Sequence, residues 1–330
     1  MQGRYAARGA NDTKCHESAG RRRTGPHRVR MPRARCRTLR QGRAWPAVPV
    51  PLRSASVTEP AALPMRIISF NANGIRSAAS KGFFEWLKQQ DADVTCIQET
   101  KSQEDQLADP CFRPDKHHCF YRDASTKKGY SGVAIYSRRE PDEVRTALGW
   151  APFDDEGRYI EARYGNLSVV SFYIPSGSSG DERQQFKYRA MAYLKPIFDE
   201  WLASGRDYVL CGDWNIVRAR DDIKNWTSNQ KNSGCLPDER AWLNGMIADD
   251  RGDGTPPPAR GWIDSFRAIK PDAVEYTWWS NRGQARANNV GWRIDYQIVT
   301  PTLRDRLRSC AITAAPRFSD HAPYAVDYAL

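Results

Sequence analysis

The sequence predicts an α/β fold, with two stacked sheets flanked by helices, closer to a sandwich than to a doubly wound sheet. Two observations carry the prediction. Short apolar runs of strand length recur from Met65 to the end of the chain, and only a few segments between them have helical periodicity. Residue usage is that of a globular protein, 40% hydrophobic and 27% charged over 330 residues, enough to enclose a sizeable core.

In order along the chain, "MRIISFN" (65–71) reads as a strand, and "AASKGFFEWLKQQ" (78–90) as a helix with Phe83, Phe84 and Leu87 on one face. "DVTCIQE" (93–99) is a second strand that ends on a carboxylate. Further strands fall at 117–122, 132–137, 158–164 and 167–173. "ERQQFKYRAMAYLKPIFDEWLA" (182–203) is a long helix, and Pro196 is expected to kink or divide it. "DYVLC" (207–211) is a strand, with Gly212 read as a tight turn at its end. "PDERAWLNGMI" (237–247) opens like a helix, with Pro and acidic residues in its first turn. A loop covers 249–261, and "WRIDYQIVT" (292–300) and "APYAVDYA" (322–329) are late strands. No internal repeat is evident.

Length alone suggests two domains, but charge divides the chain differently. Residues 1–64 hold thirteen Arg and Lys14 against Asp12, Glu17 and Glu59, so fourteen basic groups over three acidic ones account for the whole formal charge of +11. Of the chain's 50 basic and 39 acidic residues, 36 of each remain in 65–330. The basic excess therefore says nothing about what the folded part binds. The tail is rich in Arg, Pro, Ala and Gly, lacks the apolar periodicity needed to fold, and is read as disordered. Three origins fit it: an upstream misreading with Met65 as the true start, an Arg-rich organelle transit peptide, or a basic DNA-binding arm. Residues 65–330 are read as one catalytic domain.

The eight Cys form no CxxC pair, and after the tail the only His are His117, His118 and His321, which argues against a zinc site. Unpaired Cys fits a reducing cytosol. No apolar run approaches the ~20 residues of a membrane span, and there is no signal-peptide core.

Four predicted strand ends share one chemistry. Asn71 closes the first strand in "NANG", Glu99 the second in "QETK", and Asp213 and Asn215 a later one in "GDWN"; Asp320 and His321 of "SDH" precede the last. Acidic and amide residues at strand ends are more often loop caps than ligands. Their recurrence at four ends is what points to a site, because Asn, Glu and Asp oxygens with a single imidazole suit a hard divalent cation such as Mg²⁺. A Ser-His-Asp hydrolase reading of "SDH" fails, since adjacent residues on an extended segment cannot converge and no GxSxG elbow is present.

In this pattern the chain resembles the exonuclease III type of apurinic/apyrimidinic endonucleases, within the larger endonuclease–exonuclease–phosphatase group. The resemblance spans 65–330 through eight ordered blocks: "NANGIR", "QETK", "KKGYSG", "YIPSG", "GDWN", "KNSG", "NVGWRIDY" and "SDHAPY". It implies a four-layer α/β/β/α sandwich, two mixed sheets packed face to face, with the site at one end of the sheets. It implies Mg²⁺, with Mn²⁺ as a substitute, held by Glu99 with Asn71 and Asp320 beside it and Asp213 and Asn215 adjoining. Asp213 would orient or deprotonate the attacking water, and Asn215 would hold that water or the developing oxyanion. His321, paired with Asp295, would contact the scissile phosphate, and Tyr173 would stabilise the phosphorane or leaving oxygen. Trp278, Trp292 and Asn232 would form a pocket for a base-free sugar, the alternative for the tryptophans being ordinary core. Arg76, Lys101, Lys128, Tyr130 and Arg282 would grip phosphates, or else lie on a solvated surface.

The chain departs from the commoner pattern at three positions. Trp278 stands where Phe is frequent, Ser233 where Ala is, and Asn73 where some relatives carry Asp. The first two narrow or polarise the pocket, and the third lowers the negative charge available to a cation.

The function implied is a Mg²⁺-dependent DNA repair nuclease acting as a monomer on double-stranded DNA with abasic sites or 3′ ends, away from membranes. Its place would be the cytoplasm, near the nucleoid, or an organelle if 1–64 is a transit peptide. The rivals are a phosphodiesterase of the same fold that cleaves a phospholipid or inositol phosphate, and a catalytically silent DNA-binding protein. "NVGWRIDY" and "KNSG" favour DNA over the first, and the complete set of motif residues argues against the second.

Overall fold

In a computed structural model the described residues are 64–252 and 254–330; the tail and its possible origins lie outside them. Fourteen strands are formed among the described residues. The first seven are β1 (Pro64–Asn71), β2 (Val94–Gln98), β3 (His118–Arg122), β4 (Val133–Ser137), β5 (Glu143–Arg145), β6 (Tyr159–Tyr164) and β7 (Leu167–Tyr173). The others are β8 (Asp207–Asp213), β9 (Ile263–Asp264), β10 (Trp278–Trp279), β11 (Gly291–Trp292), β12 (Asp295–Val299), β13 (Leu307–Ile312) and β14 (Tyr324–Ala329). One six-stranded sheet has the order β13-β14-β1-β2-β4-β3, a second the order β5-β6-β7-β8-β12-β9, and β10 pairs with β11 alone. Each large sheet is mixed and carries one parallel pair, β1 with β2 and β7 with β8, among antiparallel neighbours. A parallel pair needs a crossover. The first is the helices Ile75–Ser80 and Phe83–Lys88, the second the helix Asp181–Ala203.

Alternation along the strands builds the layers. Ile67, Val94, Ile135, Val169, Val209 and Val299 meet in the core between the two sheets. Ile68, Phe70 and Ile97 point the other way, onto Phe83, Phe84 and Leu87. On the far side Val170, Phe172 and Leu210 pack on Met191, Leu194 and Phe198 of the long helix. The result is helix, sheet, sheet, helix, as expected.

The inward faces change character along their length. Ile67 pairs in register with Val94, and Val169 with Val209 and then Val299. One step on lie Ser69, Cys96, Ser171, Cys211 and Gln297, where Gln98 Nε2 bridges the sheets to Ser171 Oγ at 3.0 Å. The third step is Asn71, Tyr173, Asp213 and Asp295, all buried. A period-two pattern thus carries an apolar core into a polar end without changing face.

Four expectations need correction. The 78–90 helix is two, because Gly82 adopts φ 83 between them. Of the kink or division expected at Pro196, division does not occur: the helix Asp181–Ala203 runs through it, with Pro196 on the exposed side, where the carbonyl it leaves unpaired can meet water. The 292–300 strand is interrupted at Arg293 and Ile294, where the chain changes partner from β10 to β8. Gly212 is not a turn but lies inside β8, opposite Phe172 and Tyr296. A Cβ on Gly212 would stand 2.3 Å from the Phe172 carbonyl oxygen, so the glycine permits a close approach of strands. The turn comes later, at Asn215 with φ 52.

Gly212→Ala is accordingly expected to destabilise the fold by about 1–3 kcal/mol, the usual cost of overpacking, seen as a lower urea midpoint. An unchanged midpoint would remove the close-approach explanation.

Candidate active site

The polar end of the two sheets is organised by one amide. Asn71 Nδ2 donates to Glu99 Oε1 at 2.8 Å and to Asp213 Oδ2 at 2.9 Å, bridging one sheet to the other. Its Oδ1 accepts the Asn73 N–H at 2.9 Å. Asp213 Oδ1 accepts the Asn215 N–H at 2.8 Å, and Asp213 Oδ2 accepts Asn215 Nδ2 at 3.2 Å. Asn215 Nδ2 also donates to the Ile174 carbonyl at 3.0 Å. His321 Nδ1 lies 2.8 Å from Asp295 Oδ2, and its Nε2 lies 3.9 Å from Asp213 Oδ2. Lys101 Nζ stands 2.7 Å from Glu99 Oε2 and donates to Asn73 Oδ1. The backbone is unusual here: Asn73, Glu99, Lys101 and Asn215 all have φ between 44 and 52, a region costly for L-residues and concentrated at functional sites.

Asp320 stands one link away. Its Oδ1 accepts Asn73 Nδ2 at 2.8 Å and Ser319 Oγ at 3.0 Å, and its Oδ2 accepts Trp278 Nε1 at 3.1 Å. Trp278 and Trp292 meet edge to face, centroids 5.8 Å apart, and Trp278 also flanks the His321 ring at 6.4 Å. Both are half-buried, each with one side packed against the cluster of Val217, Ile223, Cys235 and Ile294. A Cβ on Gly234 of "KNSG" would reach within 3.1 Å of Trp292, which brings that loop against the tryptophan pair.

Burial drives the electrostatics. Desolvation, reinforced by Asp295, pushes the Asp213 carboxyl well above its ordinary range, which His321 only partly offsets. Burial would lower the His321 imidazole, but Asp295, with Asp213 and Asp320, overrides it and raises the group to about 10. Burial would raise Glu99, but Lys101, Asn71 and His321 hold it below the usual carboxylate range. Burial and the nearby Glu99 raise the Tyr173 hydroxyl far above its ordinary range, so it serves as an O–H donor.

Can these residues hold a divalent cation? Glu99, Asp213 and His321 each offer an atom within 4.8 Å of the others. Glu99, Asp213, Asp295 and Asp320 outnumber the cations Lys101 and His321, and Asp295 Oδ1 is buried with no hydrogen-bond partner among the described residues. That surplus of oxygen donors fits a hard cation. His321, engaged by Asp295 and holding its proton, is the weakest of the three as a ligand. The oxygens of Asn71 and Asp320 are engaged by protein N–H and O–H groups.

The other sequence-predicted residues are more peripheral. Arg76 is exposed on its short helix. Asn232 is exposed, its Nδ2 bonded to Asn229 Oδ1 at 2.8 Å. Tyr130 accepts a hydrogen bond from Arg158 at 3.1 Å, and Arg158 stacks on the Tyr173 ring at 4.5 Å. Arg158, fully buried, is absent from the sequence reading, because nothing in "GRYIEARY" marks which charge turns inward. Lys187 is absent too, although a signal existed: it falls at helical spacing with buried Ala190, Met191 and Leu194.

Residues 68–321 match the endonuclease/exonuclease/phosphatase family model, and the chain belongs to that family. Within it the chain is a hydrolase of the exodeoxyribonuclease and AP-endonuclease type. It is 35% identical over 265 residues to an exodeoxyribonuclease of Bacillus subtilis, covering 78% of this chain and 97% of that protein. It is equally 35% identical over 265 residues to the DNA repair nuclease APEX1 of Danio rerio, covering 78% and 80%. Among solved structures, the 3′-5′ exonuclease NExo of Neisseria meningitidis superposes with a TM-score of 0.70 at 26% identity, over 81% of this chain and all of that one. Among the described residues no helix is long and apolar enough to cross a membrane.

In protein freed of divalent cations, the His321 ring followed by NMR is expected to titrate near pH 10 instead of ~6.5. Because the folded value is raised, the His321–Asp295 pair contributes fully below about pH 6.5 and its stabilisation is lost as pH climbs to that raised value. Asp295→Asn should bring the ring back to its ordinary range or below. A wild-type titration near 6.5 contradicts the pairing.

Proposed function

We propose that this protein is a Mg²⁺-dependent DNA repair nuclease that hydrolyses phosphodiester bonds, removing nucleotides from 3′ ends and incising 5′ to abasic sites. One observation carries the reading. A buried carboxylate, Asp213, is held by two amides beside an Asp295-paired imidazole, whose ring is flanked by the half-buried Trp278 of the Trp278–Trp292 pair. The names of the relatives support DNA as the substrate.

In this reading the ionised form of Asp213, whose proton affinity burial has raised to about 8, takes the proton from the attacking water. Asn215 and Asn71 fix its orientation. His321 keeps its proton through Asp295 and offers Nε2–H to a non-bridging phosphate oxygen. Tyr173 donates its hydroxyl to the same developing anion. Glu99 and Asp213 would hold the cation, with Asp320 and Asn71 beside them, and when bound it supplies positive charge to the phosphate. Trp278 and Trp292 present an apolar edge-to-face wall that a sugar without its base could enter more easily than a whole nucleotide. Arg76, Tyr130 and Asn232, on the periphery, would contact the flanking strand. Residues 65–330 would suffice for the activity, since every one of these side chains follows Met65.

On a duplex with a single abasic site, incision is expected with Mg²⁺ and none with EDTA. Asp213→Asn should slow incision by about 10²–10⁴-fold, the usual worth of a general base, with DNA binding retained. Near-normal turnover in this variant at saturating Mg²⁺ would sink the role of Asp213.

A further inference from the structure

Behind the reacting groups lies an ion pair that the mechanism above does not use. Lys187 and Glu239 face each other at 2.7 Å, with no exposed surface on either side chain. Lys187 comes from the long helix Asp181–Ala203, and Glu239 from the first turn of the helix Pro237–Asn244. A glutamate at that position commonly caps its own helix, and Glu239 does accept the Leu236 N–H at 3.4 Å. Its stronger contacts are elsewhere. Glu239 Oε2 accepts the Gly234 N–H at 2.5 Å, and Oε1 accepts Gln184 Nε2 at 2.9 Å. Lys187 Nζ donates to the carbonyl oxygen of Asn215 at 2.8 Å.

These contacts fall on two site loops at once. Asn215 is the residue with φ 52 whose N–H and amide hold Asp213. Gly234 approaches the same Asn215 carbonyl and the Trp292 ring so closely that a Cβ would lie 2.9 and 3.1 Å from them. One buried pair therefore grips the turn behind the proposed base and the loop behind the tryptophan wall. Stability is a poor reason for it. Burying two charges carries a desolvation cost that apolar residues of similar size avoid, and such replacements are often neutral or stabilising. What an apolar pair could not do is bond a carbonyl and an amide in fixed directions.

We propose that Lys187 and Glu239 are positioning residues for the hydrolytic site, clamping the Asn215 turn against the Gly234 loop so that Asp213 and the Trp292 wall keep their spacing. The proposal rests on the nuclease reading above for the reaction it serves, but not for the clamp itself.

Two measurements test it. The double variant K187M/E239Q removes both charges while leaving an acceptor for the Gly234 N–H. It should melt close to wild type, yet its kcat on the abasic duplex should fall about 10- to 100-fold with KM little changed, the signature of a misplaced reacting group. K187R, which keeps a cationic donor, should stay near wild type. Wild-type turnover in the double variant, or a loss confined to KM, overturns the positioning role. The second measurement needs neither activity nor a variant. By hydrogen exchange the amide of Gly234, which Glu239 accepts, should be protected like those of β8; exchange as fast as exposed loop amides overturns the clamp. If wild-type protein cuts no abasic DNA, the nuclease reading fails, and the exchange result still decides the clamp.

Discussion

Everything in this molecule depends on two sheets packed face to face, with their inward side chains in matching register. Because residues two apart share a face, the strands deliver whole tiers of side chains into one gap. The tier of Ile67, Val94, Val169, Val209 and Val299 is dry, and removing that area from water is the main favourable term in folding. Two positions along, the same strands deliver Asn71, Tyr173, Asp213 and Asp295 to the rim. The site is thus an extension of the core, which explains how the acidic pair Asp213 and Asp295 can be held close together on adjacent strands.

Such crowding is unstable unless every charge is answered. Asn71 answers two carboxylates with one amide, Lys101 answers Glu99, and Asp295 and His321 answer each other. The oxygen left over, Asp295 Oδ1, and the raised proton affinity of Asp213 show where compensation among the described residues is incomplete. Incomplete compensation is what a hydrolytic site requires, because a fully satisfied carboxylate has no affinity to spare for a proton or a cation. The positive φ values at Asn73, Glu99, Lys101 and Asn215 belong to the same arrangement, holding each side chain where an unstrained turn would not.

Much of this was legible from the residues. Asn71, Glu99 and Asp213 announce themselves because polar groups at the ends of apolar strands are conspicuous, and the ordered blocks from "NANGIR" to "SDHAPY" identify the rest, Asp295 among them. Gly212 misled because a glycine in a strand and a glycine in a turn look identical until the neighbouring strand is in place. The edge strand β13 is hard to read from sequence because a bulge between Leu307 and Ser309 breaks its alternation, leaving only four alternating residues. Arg158 and Glu239 escaped notice because a buried charge is defined by partners distant in sequence, such as Tyr173 and Lys187, and local pattern carries no record of them. Lys187 alone left a trace, as a charge on the apolar face of its helix.

A cation-dependent hydrolytic site centred on Glu99 and Asp213, as proposed for the rim of the sandwich, ties the rate to how tightly these carboxylates hold Mg²⁺. That link is tested most directly by titrating Mg²⁺ against the rate of abasic-DNA incision for wild type and Glu99→Gln. Replacing an anionic ligand of a hard cation by a neutral amide predicts a clear rise in the Mg²⁺ concentration for half-maximal rate, with activity largely recovered at high Mg²⁺. Superimposable titrations would remove Glu99 as a ligand, and incision that persists in EDTA would remove the cation from the reaction.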